Sequence, residues 1–536
     1  MTADTEPNPG KKARKLSAKL ATVAETVGAS VLEGDRLAPR IDTRGKISGI
    51  ARQCGQLLRN TPLFLRGGAF IVTVDPESGK ADSMDATRFV TWAETFAEFG
   101  QHSGSGDEAR FVAKSISSEF AEKILRSDQF RRELRPLRGV HDVALPTWAN
   151  AERTAVRLLP PGYDEETGIF TAPAFEYPTD LPPDQAWNFF LETYADFPFA
   201  EGKPLEKNRS FAVQMAAHFT AFGRLLVMDC LRPAFVFLAN QSGSGKTLLS
   251  RLALAPVFGP VSVSSLPTGE EERGKLLTTL VAEGSPYAFF DNVKGHLSSA
   301  ELEGFLTTPQ RTGRILQQSA TVTAPNLATV FVSGNQLSLS ADLKRRVLVC
   351  DLFCAREATE RDFKKPITDS WPSNPDTRAR FLAALWSLMD HWQAQGCPRL
   401  SERLLPSFET FSAIMGGLVT AANFANPIAP PENQMDEAEQ AWKLLLRALA
   451  DAVPTGTTRD YTPDEAMKQA EELGVLDLLT AGGRDERKTF GQRIKKWKGR
   501  RFLDNSGREF EFGNGRSRNS LGALYPVTVF AKEAKA

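Results

Sequence analysis

The chain has 536 residues, 41% of them hydrophobic, and its 65 Lys plus Arg are matched by 65 Asp plus Glu. A length near 150 residues per domain predicts about three globular domains, and zero net charge removes any whole-chain signal for a polyanionic partner. The five cysteines (54, 230, 350, 354, 397) contain no CxxC pair and the five histidines are scattered, which argues against a zinc site and a disulfide framework.

No apolar run approaches the roughly 18–20 residues of a membrane span. The N-terminus carries Lys11, Lys12, Arg14 and Lys15 without the apolar core of a signal peptide, so a cytoplasmic protein is expected. Residues 1–40 read as a basic, disordered tail with one short helix near 16–32. Residues 41–200 read as an α+β accessory region. Within it, 63–74 (LFLRGGAFIVTV) predicts a hairpin turning at Gly67-Gly68, and helical patterns follow at 85–98 and 117–134. Pro and Gly crowd 136–185, a connector with short strands. Residues 185–229 are helical and lead into the first core strand.

From 234 to 352 apolar runs alternate with helical patterns, predicting a five-stranded parallel sheet at 234–239, 261–265, 287–291, 328–333 and 347–352. The expected α/β core with helical lid spans 201–400. A helical linker over 401–460 and a basic module over 461–536 complete the chain.

The segment 235–254, FVFLANQSGSGKTLLSRLAL, runs from a buried strand through a Gly/Ser loop into a helix. Small residues let backbone N–H groups curl around phosphates, and the helix N-terminus adds its positive dipole end. Gln241, Ser242, Gly243, Ser244, Gly245, Lys246, Thr247 and Leu248 are the predicted nucleotide contacts. Lys246 would reach the β- and γ-phosphates of ATP, and the Thr247 hydroxyl would ligate Mg²⁺. Asn240 stands where the motif asks for glycine. Asn readily adopts positive φ, so the loop is expected to form.

An apolar strand ending in Asp291 suits support of the metal beside the phosphate loop. Asn292 follows, where many such enzymes carry the general-base glutamate. Glu270, Glu271, Glu272, Glu283 and Glu301 all remain open as the base. Asn335 at the tip of the next strand suits orienting water and sensing the γ-phosphate. Arg345 and Arg346, ten residues on, suit a finger reaching a neighbouring subunit's ATP.

Together these pieces are similar to the superfamily 3 helicases, a branch of AAA+ ATPases, and to the helicase part of phage, prophage and plasmid primase-helicases. The matching stretches are 233–249, YAFFDN (287–292), LTTPQRTGRILQQS (306–319), TVFVSGNQ (329–336) and ADLKRRVLV (341–349), with 134–168 resembling the region that precedes such ATPases. The resemblance implies a ring, usually hexameric, with ATP between subunits. It also implies a channel hairpin at 307–325 with Arg311 and Arg314 on DNA. No primase domain is evident, so a separate primase or replication protein is an expected partner.

The segment RKTFGQRIKKWKGRRF (487–502), followed by two strand-like stretches, resembles a winged helix. Its charge asymmetry is the footprint of phosphate binding. The candidate DNA contacts are Arg493, Lys495, Lys496, Lys498, Arg500, Arg501, Arg516 and Arg518. The sequence thus predicts an ATP-dependent DNA helicase of a mobile genetic element, acting as a ring on single-stranded DNA. The alternative is an ATP-gated DNA-binding initiator or scaffold that does not unwind processively.

Overall fold

The computed structural model describes residues 39–103, 110–200, 204–240, 243–314, 321–335, 337–354, 363–402, 404–430, 437–480, 485–503, 508–513, 516–518 and 522–530. The expected N-terminal helix near 16–32 and the loop residues Gln241 and Ser242 lie outside them.

The N-terminal part is α+β. The hairpin of Leu63–Arg66 and Phe70–Val74 is turned by Gly67 and Gly68, both at positive φ, where glycine carries no Cβ penalty. A Cβ on Gly67 would lie 2.3 Å from the Ala282 carbonyl oxygen, so the turn sits directly against the central α/β region. Helices Ile47–Leu58, Ala86–Glu94 and Ser118–Leu125 bury their apolar faces here, with Phe89 edge-on to Phe130 at 5.5 Å. Asp85 and Ser117 start two of these helices by accepting from the Arg88 and Phe120 amides. From Val143 onward most apolar residues join the central core instead, while Phe170 packs with Phe64, Val72, Val74 and Leu137 in a small separate cluster. The expected accessory region 41–200 is therefore divided among three cores.

Helix Arg209–Phe222 is buried along its whole length from Ser210, as its lack of a polar face requires. It backs a sheet of four parallel strands, β1 (Ala234–Ala239), β2 (Tyr287–Val293), β3 (Thr329–Asn335) and β4 (Val347–Leu352), in the order β2-β3-β1-β4. Helix α1 (Lys246–Phe258) follows β1, and helix α2 (Glu270–Ala282) precedes β2. The sheet is not five-stranded among the described residues. Segment 261–265 contributes a single bridge, Ser264 to Phe290, at the β2 edge. Its serines and the exposed Val263 supply no second apolar face, so no ladder propagates.

Two buried arginines tie the parts together. Arg378, on helix Pro375–Ala394, forms a two-pronged pair with Asp142 at 3.0 Å on each arm and donates to the Pro256 carbonyl at 3.1 Å. Arg232 donates to the Val227 and Cys230 carbonyls.

Residues 401–460 are not a linker. Helix Glu409–Ala421 belongs to the central core, and helix Glu437–Asp451 opens the C-terminal core with Trp442, Leu445 and Leu449. In that module strand Thr458–Tyr461 pairs antiparallel with Gly522–Val529, which also pairs with Glu509–Phe512. Three short helices, Pro463–Glu472, Leu476–Thr480 and Glu486–Ile494, lie between the first strand and Arg500–Leu503. No described helix is long and apolar enough to cross a membrane.

Candidate nucleotide and metal site

The site gathers at the C-terminal ends of β1, β2 and β3. After β1 the loop reverses through Gly243 and Gly245, at φ of 73° and 99°, conformations open to glycine at no steric cost. The Phe197 ring packs on Gly245, 3.0 Å from where a Cβ would stand, so bulk there would displace the loop. Lys246 is the first residue of α1, and its N-terminal amides have no side-chain cap. Such amides and the helix dipole suit an anion.

Asn240 does not take the left-handed conformation expected of it. It is absent from the positive-φ residues, and its side chain instead clamps β1 to the end of β4. Its Nδ2 donates to the Cys354 carbonyl at 2.8 Å, and its Oδ1 accepts from the Cys354 amide at 2.9 Å.

β3 runs between β2 and the phosphate-loop strand β1. Asp291 nonetheless reaches the loop, where its Oδ1 accepts from the Thr247 hydroxyl at 2.9 Å. The Lys246 side chain is buried, and burial pulls its ammonium below the ordinary range while the charge of Asp291 opposes that fall. Asn335 ends β3 directly opposite Ala239. Its Oδ1 and the Ser244 hydroxyl are buried without a hydrogen-bond partner among the described residues. Orphaned buried polar atoms carry a desolvation cost, and a phosphate with its water shell supplies the missing partners. Leu248 is half-buried on the first turn of α1.

No group of three or more His, Cys, Asp or Glu that could hold a metal occurs among the described residues. Mg²⁺ does not need one. It takes one or two protein oxygens and completes its shell with water and phosphate, which Thr247 and Asp291 fit.

Arg345 and Arg346 stand at the opposite end of the sheet. The Arg346 carbonyl accepts from the amide of Ala234, at the start of β1. A six-residue strand rising about 3.3 Å per residue separates them from the chain's own loop by about 20 Å. Both are held by Asp342. Arg345 pairs with its carboxylate, and Arg346 donates to its carbonyl at 2.6 Å.

The five glutamates considered as base are engaged elsewhere. Glu270 accepts from Ser299 and from the Glu301 amide, Glu271 and Glu272 pair with Lys275, Glu301 pairs with Arg311, and Glu283 lies in the field of Arg66. Asn292 is exposed at φ 57°.

The hairpin predicted at 307–325 forms from Gln310–Arg314 and Thr321–Pro325, while residues 315–320 lie outside the described residues. Arg311, an expected DNA contact, turns its guanidinium toward the protein. Its guanidinium donates to Thr278 Oγ1, the Gly274 carbonyl and Glu301, at 2.8, 3.0 and 2.6 Å, and so pins the hairpin base to α2. Arg314, Arg516 and Arg518 lie on strands, but their side chains fall outside what is described.

In the basic module Lys495, Lys496 and Arg500 are exposed and Lys498 is half-buried. The Arg500 guanidinium stacks 5.0 Å above the Trp497 ring. Arg501 pairs with Glu509 and Glu511, at 3.4 and 3.5 Å. Arg493 donates to the Leu479 carbonyl at 2.9 Å and so braces the helices.

No family model matches the chain, and no curated protein does. Among solved structures it is similar to the apo C-terminal region of NrS-1, with a TM-score of 0.29 and 11% identity over 80% of this chain and 93% of that one. It is also similar to SCCmec type IV Cch, described as an active helicase, with a TM-score of 0.30 and 11% identity over 88% and 93%. For a JCV helicase the TM-score is 0.21 and the identity 14%, over 45% and 66%. These scores are too low to define a shared fold, and the site rests on its own geometry.

Proposed function

We propose that the chain is an ATP-dependent DNA helicase motor of the superfamily 3 kind, working as a ring, expected to be hexameric, on single-stranded DNA. The carrying observation is the convergence of Lys246, Thr247, Asp291 and Asn335 at one end of a parallel sheet. In this reading Lys246 and the α1 amides bind the phosphates of ATP, and Thr247 and Asp291 hold Mg²⁺. The metal neutralises charge building on the phosphates. Asn335 orients the attacking water. Arg345 and Arg346, too far from their own loop, serve a neighbour's nucleotide.

The C-terminal module supports DNA binding. Its helix–strand–helices–strands order, with the first strand paired to the last, is compatible with a winged helix. Its exposed Lys495, Lys496 and Arg500 suit phosphates. A mobile genetic element is the natural setting, with a separate primase or replication protein as partner.

A second reading is favoured by Asn292. An amide follows Asp291 where a general base is expected, and the nearby glutamates are otherwise engaged. That suits an ATP-gated initiator or scaffold that assembles on DNA without processive unwinding.

The test is ATP turnover with and without single-stranded DNA over a range of protein concentrations, followed by a fork-unwinding assay. Cooperative, DNA-stimulated hydrolysis that Lys246→Ala abolishes supports the motor. Slow, DNA-indifferent hydrolysis supports the scaffold. Unchanged turnover in Lys246→Ala removes both.

A further inference from the structure

Strand β2 contains a bulge beside the site. Phe290 pairs with Val332 and Val293 with Gly334, so Asp291 and Asn292 together face one residue, Ser333. The extra residue is accommodated by Asn292 at φ 57°. Bulges next to sites re-aim side chains, and here the carboxylate turns toward Thr247. The strands close tightly just beyond it, where a Cβ on Gly334 would come within 2.5 Å of the Val293 carbonyl oxygen.

Ser333 is fully buried, directly after the apolar run Val330–Val332. A buried hydroxyl is unfavourable unless bonded, and this one is bonded to the bulge. Its Oγ donates to Asp291 Oδ1 and accepts from the Asn292 amide at 3.4 Å. The Asn292 amide also donates to Asp291 Oδ1, at 2.9 Å. With Thr247, three donors converge on Oδ1, and Oδ2 takes none among the described residues.

We propose that Ser333 is a positioning residue, whose hydroxyl fixes one oxygen of Asp291 so that the other faces the Mg²⁺ of a bound nucleotide. This rests on the nucleotide reading of the site. When the metal takes the Thr247 hydroxyl, Ser333 and the Asn292 amide are the donors that remain to hold the carboxylate.

The test measures metal affinity directly. Mn²⁺ is titrated by electron paramagnetic resonance into the full chain saturated with a non-hydrolysable ATP analogue. Affinity for a fluorescent ATP analogue is measured separately in EDTA. Ser333→Ala is expected to weaken Mn²⁺ binding about 10- to 100-fold, the usual effect of removing a partner that orients a metal ligand. Metal-free nucleotide affinity should stay within about twofold, because Lys246 and the loop amides are intact. Ser333→Thr, which keeps the hydroxyl, should recover most of the loss. Ser333→Cys preserves the volume with a weaker donor and should fall between wild type and alanine. It serves as the reporter if the alanine variant fails to fold.

Wild-type Mn²⁺ affinity in a folded Ala or Cys variant overturns the proposal. Nucleotide binding indifferent to Lys246→Ala would instead remove the underlying reading, and the two failures are therefore distinct.

Discussion

The Thr247 hydroxyl and the Asp291 carboxylate share a 2.9 Å hydrogen bond across an intervening strand, 44 residues apart in sequence. Both groups must give up part of that bond to a metal ion. Thr247→Ala and Asp291→Asn should each reduce Mg²⁺-dependent ATP turnover about 100-fold. The double variant should be little worse than either single one, because both act through the same ion. Steady-state kinetics at saturating ATP checks this, and fully additive losses would show two independent roles.

The placement of Arg345 and Arg346 predicts a shared active site. Arg345→Ala or Arg346→Ala should lower turnover by about 10³-fold while leaving ATP affinity nearly unchanged. Mixing an arginine variant with Lys246→Ala should restore measurable hydrolysis. One subunit then supplies the intact loop and its neighbour the intact arginines. No recovery on mixing would place the arginines outside the reaction.

Two groups of basic residues should separate by assay. Arg311→Ala removes three hydrogen bonds at the hairpin base, one of them to the Glu301 carboxylate, and should cost roughly 1–3 kcal/mol in stability. Lys495→Ala, Lys496→Ala and Arg500→Ala should leave the melting temperature unaltered. Each should flatten the slope of log affinity against log salt for single-stranded DNA by about 0.7. A changed salt slope in Arg311→Ala would return that residue to the DNA surface.

His218 and His141 predict a pH dependence of stability. Burial holds the His218 imidazole down at about 3, and His141 is pushed below its usual range by burial and then by Arg224. A neutral-only site in the fold means the unfolded chain binds more protons below the ordinary histidine value near 6.5. Stability is therefore full above that value and falls as pH drops toward 3, at about 1.4 kcal/mol per pH unit for each titrating imidazole. Urea unfolding between pH 7 and 5, above most of the carboxylate range, isolates the effect. A flat profile there would mean the imidazoles protonate in place.

Much of the site was legible because local pattern and chemistry coincide there. Lys246 and Thr247 follow a strand and open a helix, and Asp291 closes an apolar run, so each position carries its own signal. Partners created by strand order were not legible. The Asn240 clamp on Cys354 joins residues 114 apart, and nothing local distinguishes a clamping asparagine from a turn asparagine. Ser333 left a trace, a hydroxyl directly after the apolar run Val330–Val332, but its target depends on a bulge in a different strand. The protein partners of Arg311 were illegible for the converse reason. A basic residue in a hairpin advertises its charge, while the Glu301 and Thr278 that hold it lie on separate helices. The four- rather than five-stranded sheet reflects how weakly 261–265 is apolar on either face.

Arg378 grips the C-terminal end of α1 through the Pro256 carbonyl and holds Asp142 of the preceding region in the same guanidinium. The other end of that thirteen-residue helix carries Lys246. At 1.5 Å per residue the helix is a stiff rod about 20 Å long. The proposed phosphate site at one tip and Asp142 at the other are thereby joined by a single lever, through which a tilt imposed at one tip would reach the other.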